Sequence, residues 1–549
     1  MTNFAKTNVP VEFPLKAERA YSDIFDEIEV DVIYQGPDGG EWRVPAFWAG
    51  DNIFRVRFAA PSPGRYSYRS ICSNPDDAGL HGQTGEIVVE PYEGPGDLFQ
   101  HGRLRVAESR RTLEHADGTP FLWMGDTWWM GLVKRFDWPD GVRSLVADRV
   151  AKGFNLIQIV AGPLPDFDAE DATWHPQQAN EAGWPWEKDW TRINPRFYDL
   201  ADLRIAYLVE NGLVPCIVGM WGFYLPLMGV RKAKQHWRNL VARYGAYPVI
   251  WCAAGEVKMP TYSRHRIPGA WESEGAALAE GWTEVTRCIR ECDPYHNPVT
   301  AHPTGSASSR DMLLDETLLD IDMLQTGHSG HYSLRPSAEL VNAAVARHPR
   351  MPVVNGEACY EGIMGGSWQE VQRFLFWTSM TSGAAGHTYG AQGIWAMSSR
   401  DEPFAGSTMS WGDTFWQDAM HLPGSAHVGL GRRFFERYPW WLFEPRLEPE
   451  VEKLGRISAF ATGIPGTVAI FYLPASCTEP ALAGVKGARV SIEPGVTYIA
   501  SFFNPRTGAE IEIGLVKSDA DGKWPVPRMP SMEDWILVLE DREALARIA

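Results

Sequence analysis

No stretch of this 549-residue chain approaches the roughly 18 consecutive apolar residues of a membrane-crossing helix, so no membrane partner is expected. The opening residues, MTNFAKTNVPVEFPLKAERAYSD, lack an apolar core of about 7–15 residues behind a basic head, so no secretory leader is read there. Lys/Arg runs are absent as well, and the formal net charge is −18, which argues against a nucleic-acid partner. Cysteine is sparse. Cys72, Cys216, Cys252, Cys288, Cys292, Cys359 and Cys477 form an odd set without close pairs, which does not suggest a disulfide framework. Cys288 and Cys292 stand four apart in an expected helix, where packing is a better reading than a metal site. These absences together lead us to expect a reduced, cytoplasmic protein. No internal repeat or low-complexity tract appears, and oligomeric state leaves no mark in the sequence.

What is present is more informative. The apolar fraction of 44% and charged fraction of 22% suit a soluble globular protein long enough for several cores. Tryptophan is abundant, with 24 residues and clusters at Trp128–Trp129, Trp184–Trp186–Trp190 and Trp440–Trp441. Such side chains pack cores and interfaces, and they also stack on the C–H faces of sugar rings. Their number alone does not separate the two uses.

Short alternating segments, such as IEVDVIY, NIFRVRFAA and GEIVVEPY, separated by turn signals, make residues 8–92 an expected N-terminal β-sandwich. From 103 to 438 the rhythm becomes strand, then helix. Eight candidate strands follow one another at 121–129, 155–162, 213–221, 249–256, 298–305, 320–328, 352–358 and 384–395. Helical patterns lie between most of them, including 141–154 and 197–212, the latter ending on Gly212. Near-continuous apolar strands alternating with helices call for a closed parallel barrel. Residues 446–545 return to short strands and are expected to form a C-terminal β-sandwich. The predicted fold is therefore multidomain: a central (α/β)8 TIM barrel flanked by two β-sandwiches.

In such a barrel the carboxyl ends of the strands converge on one face and carry the chemistry. The residues at those ends here are Asp126, Trp128, Gln158, Trp221, Glu256, His302, His328, Glu357, Tyr360, His387, Tyr389 and Trp395. Glu256 ends VIWCAAGE and Glu357 ends PVVNGE. One glutamate after an apolar run can simply cap the next helix. Two, after the fourth and seventh candidate strands, suit a proton donor and a nucleophile in glycosidic bond cleavage. Apolar neighbours should raise the pKa of Glu256 and keep it protonated. Glu361, four residues after Glu357, reads as a surface helix carboxylate in preference to a hydrogen-bonding group within the site. His302, His328 and His387 suit sugar hydroxyls, orientation of Glu357, or ordinary hydrogen bonding. The long loops at 164–195 and 400–416 are candidate walls of a pocket.

Four stretches, PFLWMGDTWWMGL (120–132), AKGFNLIQIVAGP (151–163), YPVIWCAAGE (247–256) and MPVVNGEACYEGI (351–363), resemble the apiosidase-like glycoside hydrolases. These are (α/β)8 barrels related to the large retaining clan. The flanks fit as well: the first module resembles the DUF5060 domain placed before such barrels, and the segment with PWWLFEP and FFNPRTG resembles a collagen-binding-type β-sandwich. The resemblance implies Glu357 as nucleophile, Glu256 as acid/base and Asp126 as a ligand of substrate hydroxyls. Trp128, Gln158, Trp221, His302, His328, Tyr360, Tyr389 and Trp395 would line the substrate site. One departure stands out, because the clan usually has Asn before the acid/base and here Gly255 precedes Glu256.

The expected function is a retaining, exo-acting glycosidase that releases a terminal pentose or deoxysugar, such as apiose or arabinofuranose, from an oligosaccharide or small glycoside. It needs no cofactor and no metal. A retaining pair stands roughly 5–5.5 Å apart and an inverting pair about 6.5–9.5 Å. Two rival readings remain: a metal-dependent barrel hydrolase using Asp126, His302, His328 and His387, and a noncatalytic carbohydrate-binding protein.

Overall fold

Apolar strands that bury both faces need a helix layer outside and a packed interior inside, and the barrel supplies both. The computed structural model describes residues 2–167, 174–406, 411–446, 460–474 and 489–548. Eight parallel strands, numbered along the barrel, run β1 (Trp123–Trp128), β2 (Leu156–Val160), β3 (Val214–Val218), β4 (Ile250–Cys252), β5 (Val299–Thr300), β6 (Asp322–Gln325), β7 (Val353–Glu357) and β8 (Gly386–Tyr389). Each of the eight candidate segments contains one of them. The sheet order is 5-4-3-2-1-8-7-6, with the short strand Ala307–Ser308 antiparallel to β6. Between β5 and β6 the ladder is replaced by a few bonds: the Asp320 and Ile321 amides donate to Val299 O, and Thr300 Oγ1 donates to Ile321 O. These join the two ends of the curled sheet.

Helices Asp140–Lys152, Pro195–Glu210, Leu225–Tyr244, Ala270–Cys292, Leu334–Ala346, Gln369–Thr381 and Pro423–Phe435 form the outer layer. Their ends follow local chemistry. Asn194 caps the second by accepting from the Arg196 and Phe197 amides, and Gly153 ends the first with φ +93°. Only short 3-10 turns, Ser309–Asp311 and Glu316–Leu318, follow β5. Within the fourth helix Cys288 and Cys292 bring their sulfurs to 3.7 Å.

Before the barrel, a five-stranded sheet, which includes Thr2–Lys6, packs with a three-stranded one around Tyr34, Phe58, Tyr66 and Ile87. Arg57 of this module donates to Asp202 and to Arg243 O on the barrel, while Arg243 lies 4.2 Å over the Phe47 ring. After the barrel a six-stranded antiparallel sheet docks through Trp377, Tyr472, Phe434 and Phe503, and through a bidentate Arg373–Asp534 pair at 2.7 and 2.9 Å. The expected C-terminal module lies partly outside the described residues, as do the two expected pocket walls, and Cys477 lies wholly outside them.

Candidate active site

Strand alternation decides which strand-end residues reach the barrel interior. Thr127 on β1 and Trp129 just after it face inward. Asp126 and Trp128 face the helix layer, where the fully buried Asp126 carboxylate accepts from Arg149 Nε (2.6 Å), Trp128 Nε1 (2.8 Å) and the Thr127 amide (2.9 Å). Tyr389 faces the same layer and donates to Glu361 Oε2 at 2.6 Å. His387 packs on Phe376 of the outer helix, and burial pushes its pKa down to about 3. The structure therefore keeps Asp126, Trp128, Tyr389 and His387 off the pocket. Glu361 corrects the surface reading: it is fully buried, it also accepts from the Gly424 amide, and burial raises its pKa.

The pocket is a cavity of about 240 Å3 at the carboxyl end of the strands. Glu256, Glu357, Trp221, His328, Tyr360 and Trp395 line it, all named from sequence. So do Trp129, Gln325, Tyr262 and Trp271, which sequence reasoning passed over, and Asp166 and Trp411, which it covered only through the two expected wall loops. Trp129 had a signal, since it is the neighbour of Trp128 on the opposite parity. Gln325 ends β6 in a bulge that sets it opposite Glu357. Asp166 and Trp411 come from the two expected wall loops and meet, with Trp411 Nε1 3.1 Å from Asp166 Oδ1. The tryptophans of the first loop, Trp174, Trp184, Trp186 and Trp190, pack on one another and on Phe25 and Tyr224 instead.

Glu357 ends β7 and is almost fully buried. Its Oε1 is 2.6 Å from His328 Nε2 and its Oε2 is 2.8 Å from His302 Nε2. Burial works to raise its pKa, but the hydrogen bonds and charges of His302 and His328 outweigh it and hold the carboxyl well below the usual range. The His328 ring answers in kind. Despite burial, its contacts with Cys359 and Glu357 lift it to about 10. Gln158 and His302 serve from behind the pocket wall. Gln158 Nε2 donates to Gly356 O at 2.6 Å and so braces the residue before Glu357. Gly356 itself leaves space for Met323, whose Cγ would stand 2.4 Å from a Cβ there.

Glu256 follows β4 in a tight turn with φ +43°, a left-handed conformation that costs a non-glycine residue about 1–3 kcal/mol. The turn is held by bonds on every side: Gly255 N to Met220 O, Gly222 N to Gly255 O, Val257 N to His302 O and Met259 N to Glu256 O. Trp221 Nε1 donates to Glu256 Oε2 at 3.2 Å. The Trp221 ring lies directly on Gly255, so that a Cβ there would meet ring carbons at 2.1–2.6 Å. That contact explains the missing asparagine: the indole occupies the space its side chain would need. Burial first, and the Glu357 charge second, push the pKa of Glu256 up to about 7.

Among the described residues no three His, Cys, Asp or Glu side chains group as a metal site would require. The four residues of the metal reading are dispersed: Asp126 is paired with Arg149, His302 and His328 hold Glu357, and His387 is packed on Phe376.

The apiosidase-like catalytic domain model matches residues 107–442, and the DUF5060 domain, of unknown function, matches 6–73. Among solved structures, one titled glycoside hydrolase is 21% identical over 82% of this chain and 99% of its own, with a TM-score of 0.64. A family 5 glycoside hydrolase from Bacteroides vulgatus is likewise 21% identical over 83% and 96%, with a TM-score of 0.64. A further Bacteroides vulgatus structure reaches 0.70 at 15% identity over 98% of this chain and all of its own. No curated protein matches the sequence. With that match running from before β1 to beyond β8, the chain belongs to the apiosidase-like family and is a glycosidase.

Proposed function

We propose that this glycosidase is retaining and exo-acting, and that it releases one terminal pentose or deoxysugar of the apiose or arabinofuranose kind from an oligosaccharide or small glycoside. The observation that carries the reading is the opposite treatment of two carboxyls in one cavity. Glu357 is held ionised by two imidazoles, while Glu256 stays protonated up to about pH 7. Carboxyls whose environments pull their pKa values apart divide the roles of acid and nucleophile. The small cavity supports exo action, since about 240 Å3 falls below the roughly 300–1,000 Å3 of sites for drug-sized ligands.

In the first step Glu357 attacks the anomeric carbon as Glu256 gives its proton to the departing oxygen, and the glycosidic bond breaks. The ester formed on Glu357 carries no charge. The like-charge contribution that raised Glu256 then lapses, its pKa falls, and the ionised carboxylate becomes the base for an incoming water. Attack of that water releases the sugar and restores the Glu357 carboxylate, which His302 and His328 stabilise as it leaves.

Chemical rescue tests the assignment. Glu357→Gly should lose turnover on aryl pentosides, and azide should restore it with a glycosyl azide of inverted configuration. Glu256→Ala with azide should yield the retained azide. Near-normal rates for Glu357→Gly without azide would overturn the nucleophile, and a first-formed sugar of inverted configuration from the wild type would overturn retention.

A further inference from the structure

A proton donor locates the leaving group, because the departing oxygen must come within hydrogen-bond reach of it. The cavity has two distinguishable walls. On the Glu357 side the His328 ring lies 4.4 Å from Tyr360 and 6.3 Å from Trp411. On the Glu256 side the chain that leaves the acid supplies the wall itself: Met259, Tyr262, His265 and Trp271 all line the cavity within 15 residues of Glu256.

These side chains form a rising series. Met259 is buried, Tyr262 and His265 are partly exposed, and Trp271 is 40% exposed. The rings follow one another at 5.1 Å (Tyr262 to His265) and 5.0 Å (His265 to Trp271), and Tyr262 rests edge-on against Phe223 at 5.5 Å. Each ring is fixed in place. Tyr262 Oη accepts from the Asp166 amide (3.0 Å), His265 Nε2 donates to Pro260 O (2.9 Å), and Trp271 Nε1 donates to His265 O (3.3 Å). Trp271 also stands in the first turn of the long helix Ala270–Cys292, entered through Gly269 at φ +79°, so its backbone is rigid. A large, immobilised indole open to water at the rim of a carboxylate pocket has no core to serve. Its apolar face costs free energy in water and is regained when a ring covers it.

We propose that Trp271, with His265 and Tyr262 leading in from Glu256, is the platform for the leaving group, and that this leaving group is a sugar whose ring face stacks on the indole. The proposal rests on Glu256 being the proton donor. It names the substrate class as a glycoside of another sugar, with recognition on both sides of the scissile bond. The platform holds the departing ring while the far wall holds the terminal sugar.

The test compares three substrates that share the terminal sugar the wild type releases fastest: its disaccharide with glucose, its 4-nitrophenyl glycoside and its glycosyl fluoride. Trp271→Ala should lower kcat/KM on the disaccharide on the order of tenfold, equivalent to about 1.4 kcal/mol, and leave the fluoride within about twofold. Trp271→Phe should recover most of the loss. Equal loss on disaccharide and fluoride, or no loss on either, overturns the platform. Loss confined to the nitrophenyl glycoside overturns the assignment to sugar. Glu256→Ala serves as the separate control. If it fails to spare the fluoride relative to the disaccharide, the proton-donor reading falls, whatever Trp271 does.

Discussion

Gly255 offers the sharpest test of how the proton donor is held. A methyl group in Gly255→Ala would stand 2.1, 2.4 and 2.6 Å from three carbons of the Trp221 ring. Carbon atoms in contact settle at about 3.5–4.0 Å, so the indole must retreat by about 1.4 Å, the difference between 3.5 and 2.1 Å. Trp221 Nε1 now sits 3.2 Å from Glu256 Oε2. A retreat of that size breaks the bond, because a contact of about 3.6 Å is already none. Overpacking of this kind costs about 1–3 kcal/mol of stability. Displacing the catalytic geometry by about 1 Å costs on the order of 100-fold in rate. The assay is kcat/KM across aryl glycosides of graded leaving-group pKa. Poor leaving groups, which need the proton, should slow by about that factor, and activated ones far less. Trp221→Phe, which removes the N–H together with part of the ring, should show the same pattern more weakly. A uniform loss across the series, or wild-type rates on the poorest leaving group, would refute the coupling of Gly255 through Trp221 to Glu256.

The pH profile should be lopsided. Glu256 must be protonated and sits at about 7, so kcat/KM should fall by about tenfold per pH unit above that value. Glu357 must be ionised and is held well below the usual carboxylate range, so no decline should appear between about pH 4 and 6. His328→Gln removes a partner that opposes burial, which raises the pKa of Glu357; an acid limb should then enter that window in the pH–rate profile. Arg149→Met would leave the fully buried Asp126 carboxylate without its cation, at a cost of about 3–5 kcal/mol in denaturant unfolding. Its KM should stay unchanged, because the pair faces the helix layer. A raised KM with unaltered stability would instead restore Asp126 as a substrate ligand.

Where the sequence and structure differ, the physical reasons are specific. Apolar runs bounded by turn residues marked all eight strands, because burial on both faces favours apolar residues at most positions and leaves only a few buried polar ones such as Gln158. Side-chain parity was less legible. Asp126, Trp128, Tyr389 and His387 sit at strand ends as expected, yet alternation turns them outward, while Trp129 turns inward to the pocket. A one-residue step in register exchanges the two faces, and a run apolar on both sides gives no local signal of which is which. Glu361 misled for a related reason. Its burial depends on Tyr389 and Gly424, which are distant in sequence.

Local residue chemistry by itself settled the alternation of strand and helix, the β-rich flanks and the presence of carboxylates after the fourth and seventh strands. Each of these follows from short-range patterns of apolar, turn and capping residues. Only the tertiary structure decided what those carboxylates became. The pKa of Glu357 is governed by burial and, against it, by His302 and His328 from the loops after β5 and β6, and that of Glu256 by burial and by the charge of Glu357 across the cavity. Electrostatic environment depends on distances through space, and a sequence records only distances along the chain.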